Sequence, residues 1–304
     1  MIYQSNWIPH EGIVTHAGGQ IPSNMDFFAP PPIEIGSILS AESNLTHSKQ
    51  PIPISTRISL SLIAGGLLAY GIRYISKTDE VNIIAIAIGA IVGLILYLIT
   101  EFRYSCSYVG EQGIVRLFIK GSRTAIPKKQ QLCFKDASNL YVTQIRNYVN
   151  GIYAGTAYTY RWKQISGKDY CLNGQYHAEK KVPKDGDKWH FANTAERVWS
   201  IYLLESVNEK LNSLGYVEFP MTGNPKAVRI GRGFMEFVTK DKEPQRVAVT
   251  EMKDITLGGG VFQFKHQDAK WWSGKGKYSF TYSNIPNARL FLIVLESLTG
   301  IRWQ

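Results

Sequence analysis

Two stretches of almost unbroken apolar character stand apart from the rest of this chain. Residues 58–75 read ISLSLIAGGLLAYGIRYI with Arg73 as the only charge, and residues 81–100 read VNIIAIAIGAIVGLILYLIT with none. About 20 apolar residues are what a helix needs to cross a hydrocarbon core, whereas a helix lying on a soluble core keeps a polar face. The second stretch has no such face. The pattern therefore predicts a two-helix transmembrane hairpin over residues 57–100, antiparallel because the polar link from Ser76 to Glu80 is so short. Small residues run through both stretches, and the Gly89-x-x-x-Gly93 spacing lets helices approach closely. That spacing serves packing within the hairpin or formation of a homo-oligomer through it, and the sequence leaves both open.

After Arg103 the period falls to two. Tyr158, Tyr160 and Trp162 share one side of an extended segment and Thr159, Arg161 and Lys163 the other, the alternation of a half-buried antiparallel strand. Residues 140–145 and 170–178 are similar. A helical period then takes over, with Val198, Trp199, Tyr202, Val207, Leu211 and Leu214 on one face, Asn193 as its cap and Gly215 as its stop. The same order recurs further on. Strands are expected at 227–230, 234–238, 246–249, 255–257, 261–265 and 277–282, then a helix at 285–299 ended by Gly300. Asn193 precedes Glu205-Ser206, and Asn284 precedes Glu296-Ser297, by the same twelve positions.

The segment ahead of the apolar stretches carries Pro30, Pro31, Pro32, Pro51 and Pro53 among Ser, Asn and Gly, a composition that predicts disorder. The expected organisation is a disordered segment at 1–56, a transmembrane hairpin at 57–100 and two antiparallel β units at 101–215 and 216–304, each closed by its own C-terminal helix.

Six or seven short antiparallel strands closed by one amphipathic helix resemble the pleckstrin-homology-like (PH-like) fold. Two membrane helices followed by two such units are similar to bacterial membrane proteins with tandem PH-like domains. The resemblance lies in element order over residues 101–303. It implies a membrane-anchored α+β protein that offers a scaffold for lipid or protein contacts, and it carries over no catalytic residues.

Charge sharpens that expectation. The formal net charge is +10, yet residues 1–56 hold only Lys49 against Glu11, Asp26, Glu34 and Glu42, so the surplus sits in the C-terminal region. By the positive-inside bias, Lys49 and Arg57 on one flank and Arg103, Arg116 and Lys120 on the other place both termini on the cytoplasmic side of a bacterial plasma membrane. A basic region held at a lipid bilayer would meet anionic lipid headgroups or an acidic protein partner, and the tether argues against nucleic acid. Two stretches could make such contacts. Lys120, Arg123, Lys128 and Lys129 form a basic loop close to the expected membrane, and Lys270, Trp271, Trp272, Lys275 and Lys277 form a basic aromatic hairpin. Each also reads as an ordinary solvated loop.

Catalytic chemistry finds no support. Cys106, Cys133 and Cys171 form no CxxC or Cys/His spacing, which argues against a disulfide framework and for unpaired thiols in a reducing compartment. His10, His16, His47, His177, His190 and His266 are scattered without a ligand or triad spacing. The glycines at 258–260 and at Gly231 and Gly233 precede no helix, so they suit turns better than phosphate loops. No catalytic residue, metal or cofactor is expected. The expected function is a non-enzymatic, membrane-anchored binding or assembly module. The alternatives are a ligand-gated membrane effector with a small-molecule-binding β domain and a subunit of a larger membrane complex. An enclosed polar cavity inside a β unit would favour the ligand-binding alternative, and a fully packed core would oppose it.

Overall fold

A computed structural model describes residues 7–46, 52–76, 81–101, 103–120, 126–223, 225–240, 242–258, 260–269 and 276–302. The N-terminal segment supplies strands β1 (Met25–Asp26), β2 (Ile38–Ser43) and β3 (Leu45–Thr46), followed by helices α1 (Ile54–Ser76) and α2 (Val81–Ile99). Next come β4 (Arg103–Gly110), β5 (Gly113–Lys120), β6 (Lys128–Cys133), β7 (Ala137–Val149), β8 (Ile152–Gln164), β9 (Tyr170–Tyr176) and α3 (Lys188–Leu214). The chain continues with β10 (Tyr216–Pro220), β11 (Ala227–Gly231), β12 (Phe234–Val238) and β13 (Gln245–Ala248). It ends with β14 (Met252–Gly258), β15 (Val261–His266), β16 (Lys277–Thr281) and α4 (Ala288–Thr299). All strand pairings are antiparallel, in sheets ordered β2-β4-β5-β6, β7-β8-β9, β10-β11-β12-β13, β14-β15-β16 and β1-β3.

Alternation explains how the first large sheet is buried. Tyr104, Cys106 and Tyr108 of β4 and Val115, Leu117 and Ile119 of β5 turn to one face, where Phe27, Phe28, Ile35 and Leu45 of the N-terminal segment cover them. Val109 and Ile114 turn the other way and join Leu140, Tyr160, Trp162 and Trp199 in a second core beneath β7–β9 and α3. The expected disorder of residues 1–56 is thereby corrected over 7–46: four large apolar side chains in this stretch are buried, and β2 pairs with β4 from Ile38↔Gly110 to Ser43↔Cys106. The cysteines are free thiols, with Cys106 buried, Cys133 half-buried and Cys171 exposed.

Helices α1 and α2 pack against each other through their glycines. A Cβ on Gly65 would lie 2.5 Å from the Gly89 carbonyl oxygen, and one on Gly93 would lie 2.9 Å from that of Ser61. The small residues thus serve the contact between these two helices. At the far end the buried Arg57 donates to the carbonyl of Tyr97 at 2.5 Å and stacks 4.4 Å from its ring centroid.

The expectation of a transmembrane hairpin is corrected here. Among the described residues one helix, Ile54–Ile75, is long and apolar enough to cross a membrane, and the other apolar helical stretch is the shorter Ile83–Ile99. One such helix is weak evidence for insertion, so neither an integral membrane protein nor cytoplasmic placement of both termini follows. The fold is an α+β arrangement with five sheets and four α-helices among the described residues.

The tandem repeat is corrected as well. Asn193 lies inside α3, whose cap is Asp187, its carboxylate accepting from the Trp189 N–H at 2.8 Å. Asn284 lies in a short 3-10 turn, and the residue before α4 is Asn287. The caps therefore stand at different distances from the shared Glu-Ser, the helices have 27 and 12 residues, and the halves are not equivalent PH-like copies. Both helices do end where glycine predicts, at Gly215 and Gly300 with φ of 76° and 72°.

Asn287 joins the two halves of the β region. With φ of 56°, it presents Oδ1 to the backbone N–H of Leu140 in β7 and to the indole N–H of Trp199 in α3, both at 2.8 Å. Beside it Arg289 reaches Glu196 at 3.2 Å and Asn193 at 2.8 Å. Replacing Asn287 by Ala strands two donors on buried residues, so denaturant unfolding should show a loss of about 2–4 kcal/mol. Asn287→Asp keeps the accepting oxygen and should lose less.

A polar cleft as the candidate functional site

The covered face of the β2-β4-β5-β6 sheet is closed, but its second face is closed only in part. Below Ile114 the alternation that sends Val115 and Leu117 to the N-terminal side sends Arg116 and Phe118 of β5 toward β8, β9 and α3, together with Ser105 and Ser107 of β4. There the sheets part around a cleft of about 420 Å³. Tyr158, Leu172 and Asn173 form its second wall, Asp187, Lys188 and Phe191 of the α3 N-terminus its end, and Glu42 with His16 its N-terminal side.

His16 is buried and tied on both ring nitrogens, Nδ1 to the Ser40 hydroxyl and Nε2 to the Ser107 hydroxyl, each at 2.8 Å. Thr194 of α3 also donates to the His16 carbonyl at 2.9 Å. Burial, with His190 and Arg116 nearby, lowers the imidazole to about 3, so the ring is neutral. Burial pushes the Glu42 carboxyl above the usual carboxylate range, with Asp185 and Asp187 adding to the rise and His190 and the His16 backbone opposing it. Tyr158 is 4% exposed, and burial with a contribution from Asp187 pushes its phenol up to about 12. No hydrogen-bond partner meets its hydroxyl among the described residues.

Arg116 is set apart by burial without a polar partner. Arg161, Arg229, Arg246, Arg289 and Arg302 each lie no farther than 3.9 Å from a carboxylate, the buried Arg57 donates to the Tyr97 carbonyl, and Arg103, Arg146, Arg197 and Arg232 are exposed. The half-buried Arg116 has no such partner among the described residues. Its guanidinium is instead positioned over two rings of the cleft, 4.8 Å from the Phe118 centroid and 6.0 Å from that of Phe191.

The basic residues singled out from the sequence lie elsewhere. Lys120 ends β5 with Nζ 2.8 Å from the Glu101 carboxylate, and Lys128 and Lys129 begin β6 opposite Phe118 and Leu117. Lys277 starts β16 in a different sheet. Arg123, Lys270, Trp271, Trp272 and Lys275 fall outside the described residues. Of the cleft residues, Arg116 left a trace in the sequence as a lone cation inside the apolar run of β5. His16 left none, because Ser107 is 91 positions away.

Residues 42–185 match the model of a family of unknown function, DUF6585. The matched stretch takes in Glu42, Ser107, Arg116, Tyr158 and Asn173, and ends before Asp187. Comparison with curated proteins gives no match.

The state of His16 has a measurable consequence. In the unfolded chain the ring gains its proton near its ordinary value of 6.5, whereas in the folded chain it resists protonation until about 3. Its contribution to stability is complete above pH 6.5 and is lost as pH falls toward 3, at up to about 1.4 kcal/mol per pH unit. Stability measured against pH for the wild type minus that for His16→Asn should show this slope between pH 6 and 4.

Proposed function

We propose that this chain is a non-catalytic binding module whose first β region takes a small polar molecule in the cleft. The observation that carries this reading is a cavity lined by Arg116, Tyr158, Ser105 and Asn173 on a sheet face that is otherwise tightly packed. Buried polar groups normally find partners inside the protein. Here Arg116 and the Tyr158 hydroxyl face a space large enough for a ligand to supply them. Pockets of several hundred Å³ with a few convergent polar groups and an apolar wall are the usual form of small-molecule sites.

Binding fits the site better than turnover does. The Ser107–His16 contact has the outline of a nucleophile and its base, but a general base works best with a pKa near the operating pH. An imidazole held near 3 is far too weak for that role. A function in contacting anionic lipid or an acidic protein has less support, since Lys120 already has a carboxylate partner.

A thermal-shift screen of the full chain tests the proposal, using a panel of small acids, amines, sugars and alcohols. A ligand at a hundred times its Kd adds about 2.7 kcal/mol of stability. At least one compound should raise the melting temperature of the wild type and fail to do so in Ser105→Trp, where an indole on β4, on the same face as Ser107 and opposite Phe118, fills the cleft. A panel without hits, or hits that Ser105→Trp retains, would overturn the reading.

A further inference from the structure

We propose that the ligand is an amphiphilic organic acid, its carboxylate taken by Arg116 and its apolar body laid against Phe118, Leu172 and Phe191. The inference rests on the small-molecule reading of the cleft and names the chemistry that reading leaves open.

The charge arrangement points to an anion. A half-buried guanidinium without a counter-charge is a position that an anion can fill, regaining the polar contacts that partial burial removes. Its neighbours within the cleft include two carboxylates, Glu42 and Asp187, yet neither comes within ion-pair distance. The capping role of Asp187 explains its own absence, since its carboxylate is engaged by the Trp189 N–H. Burial and the adjacent Asp185 and Asp187 favour the neutral form of Glu42, which weakens it as a partner for Arg116. The rings of Phe118 and Phe191 hold the guanidinium over the cleft, so its planar fork is oriented before any ligand arrives. A carboxylate matches that fork with two parallel hydrogen bonds.

Further features narrow the class. The Tyr158 phenol stays protonated and can donate to the same anion, since Tyr158 and Arg116 line the same cleft. The 27-residue α3 begins at the cleft and turns the positive end of its dipole toward it. Glu42 and Asp187 nevertheless line the same space, which disfavours a dianion such as a phosphate monoester. A cleft of about 420 Å³ exceeds a bare carboxylate, and its aromatic and leucine wall suits a hydrocarbon or ring attached to the acid.

Calorimetric titration of the full chain with shape-matched probes tests this. 3-Phenylpropionate should bind the wild type at least about tenfold tighter than 3-phenylpropanol, which has the same body without the charge, and tighter than propionate, which lacks the body. In Arg116→Met the preference for the acid over the alcohol should vanish. Arg116→Lys, which keeps the charge without the fork, provides a second test should the Met variant fail to fold, and it should show a reduced preference. Equal binding of acid and alcohol by the wild type, or a preference that survives both substitutions, would overturn the inference. Tighter binding of phenyl phosphate than of the carboxylate would replace the organic acid with a phosphate ester and so also overturn it. Should none of these probes bind while sugars or amines bind and are blocked by Ser105→Trp, the acid is refuted and the cleft reading stands. Should nothing bind at all, both fall.

Discussion

The β2-β4-β5-β6 sheet carries side chains that must be covered on both faces, and the rest of the first β region follows from how that is achieved. Successive residues of β4 and β5 point to opposite sides, so a single strand feeds two cores at once. Tyr104, Cys106, Tyr108, Val115, Leu117 and Ile119 require a cover, and residues 7–46 provide it while adding β2 to the open edge of β4. The other face receives β7–β9 and α3 over Val109, Ile114 and Leu132. Where that cover stops, the outward positions change from Ile to Ser, Arg and Phe, and the cleft begins. Its polarity is thus set by the same two-residue period that builds the cores.

Helix α3 belongs to both halves of the molecule. Its first turns border the cleft through Asp187, Lys188 and Phe191, and a few turns later Trp199 and Glu196 meet Asn287 and Arg289 at the start of α4. Glu196 is 4% exposed, and burial raises its carboxyl, with Arg289 holding it down. The junction between the halves therefore combines these hydrogen bonds with apolar packing, since Leu203, Leu204, Val207 and Leu211 of α3 lie against the core of the second half. An asparagine suits it because its short amide tolerates the left-handed backbone at this position and both accepts and donates.

Local patterns were legible in the sequence, and long-range ones were not. The alternation that puts Tyr158, Tyr160 and Trp162 inside was readable, as were the glycines that stop α3 and α4, because each depends on neighbours a few positions away. The strand at Ile38–Ser43 was hidden among prolines and gains its hydrogen bonds only from β4, beyond both apolar helices. His16 belongs to the cleft for the same kind of reason. The apolar stretches are legible as helices and their glycines as packing positions, because both signals are local. Basic loops drew attention because charge is visible in a sequence. An unpaired arginine is visible only once its surroundings are known, although a cation within Ile114-Val115-Arg116-Leu117-Phe118-Ile119 was a usable sign.

The central claim is that Arg116 is an oriented anion receptor inside the cleft. Its guanidinium Nε–H resonance, followed by proton–nitrogen NMR in full chain labelled at arginine and assigned by its loss in Arg116→Lys, tests this most directly. Addition of 3-phenylpropionate should shift that resonance and slow its exchange with water, while the signals of Arg229 and Arg289, already paired with carboxylates, stay in place. An Arg116 signal that does not respond, or one that responds no more than the paired arginines do, would contradict the account.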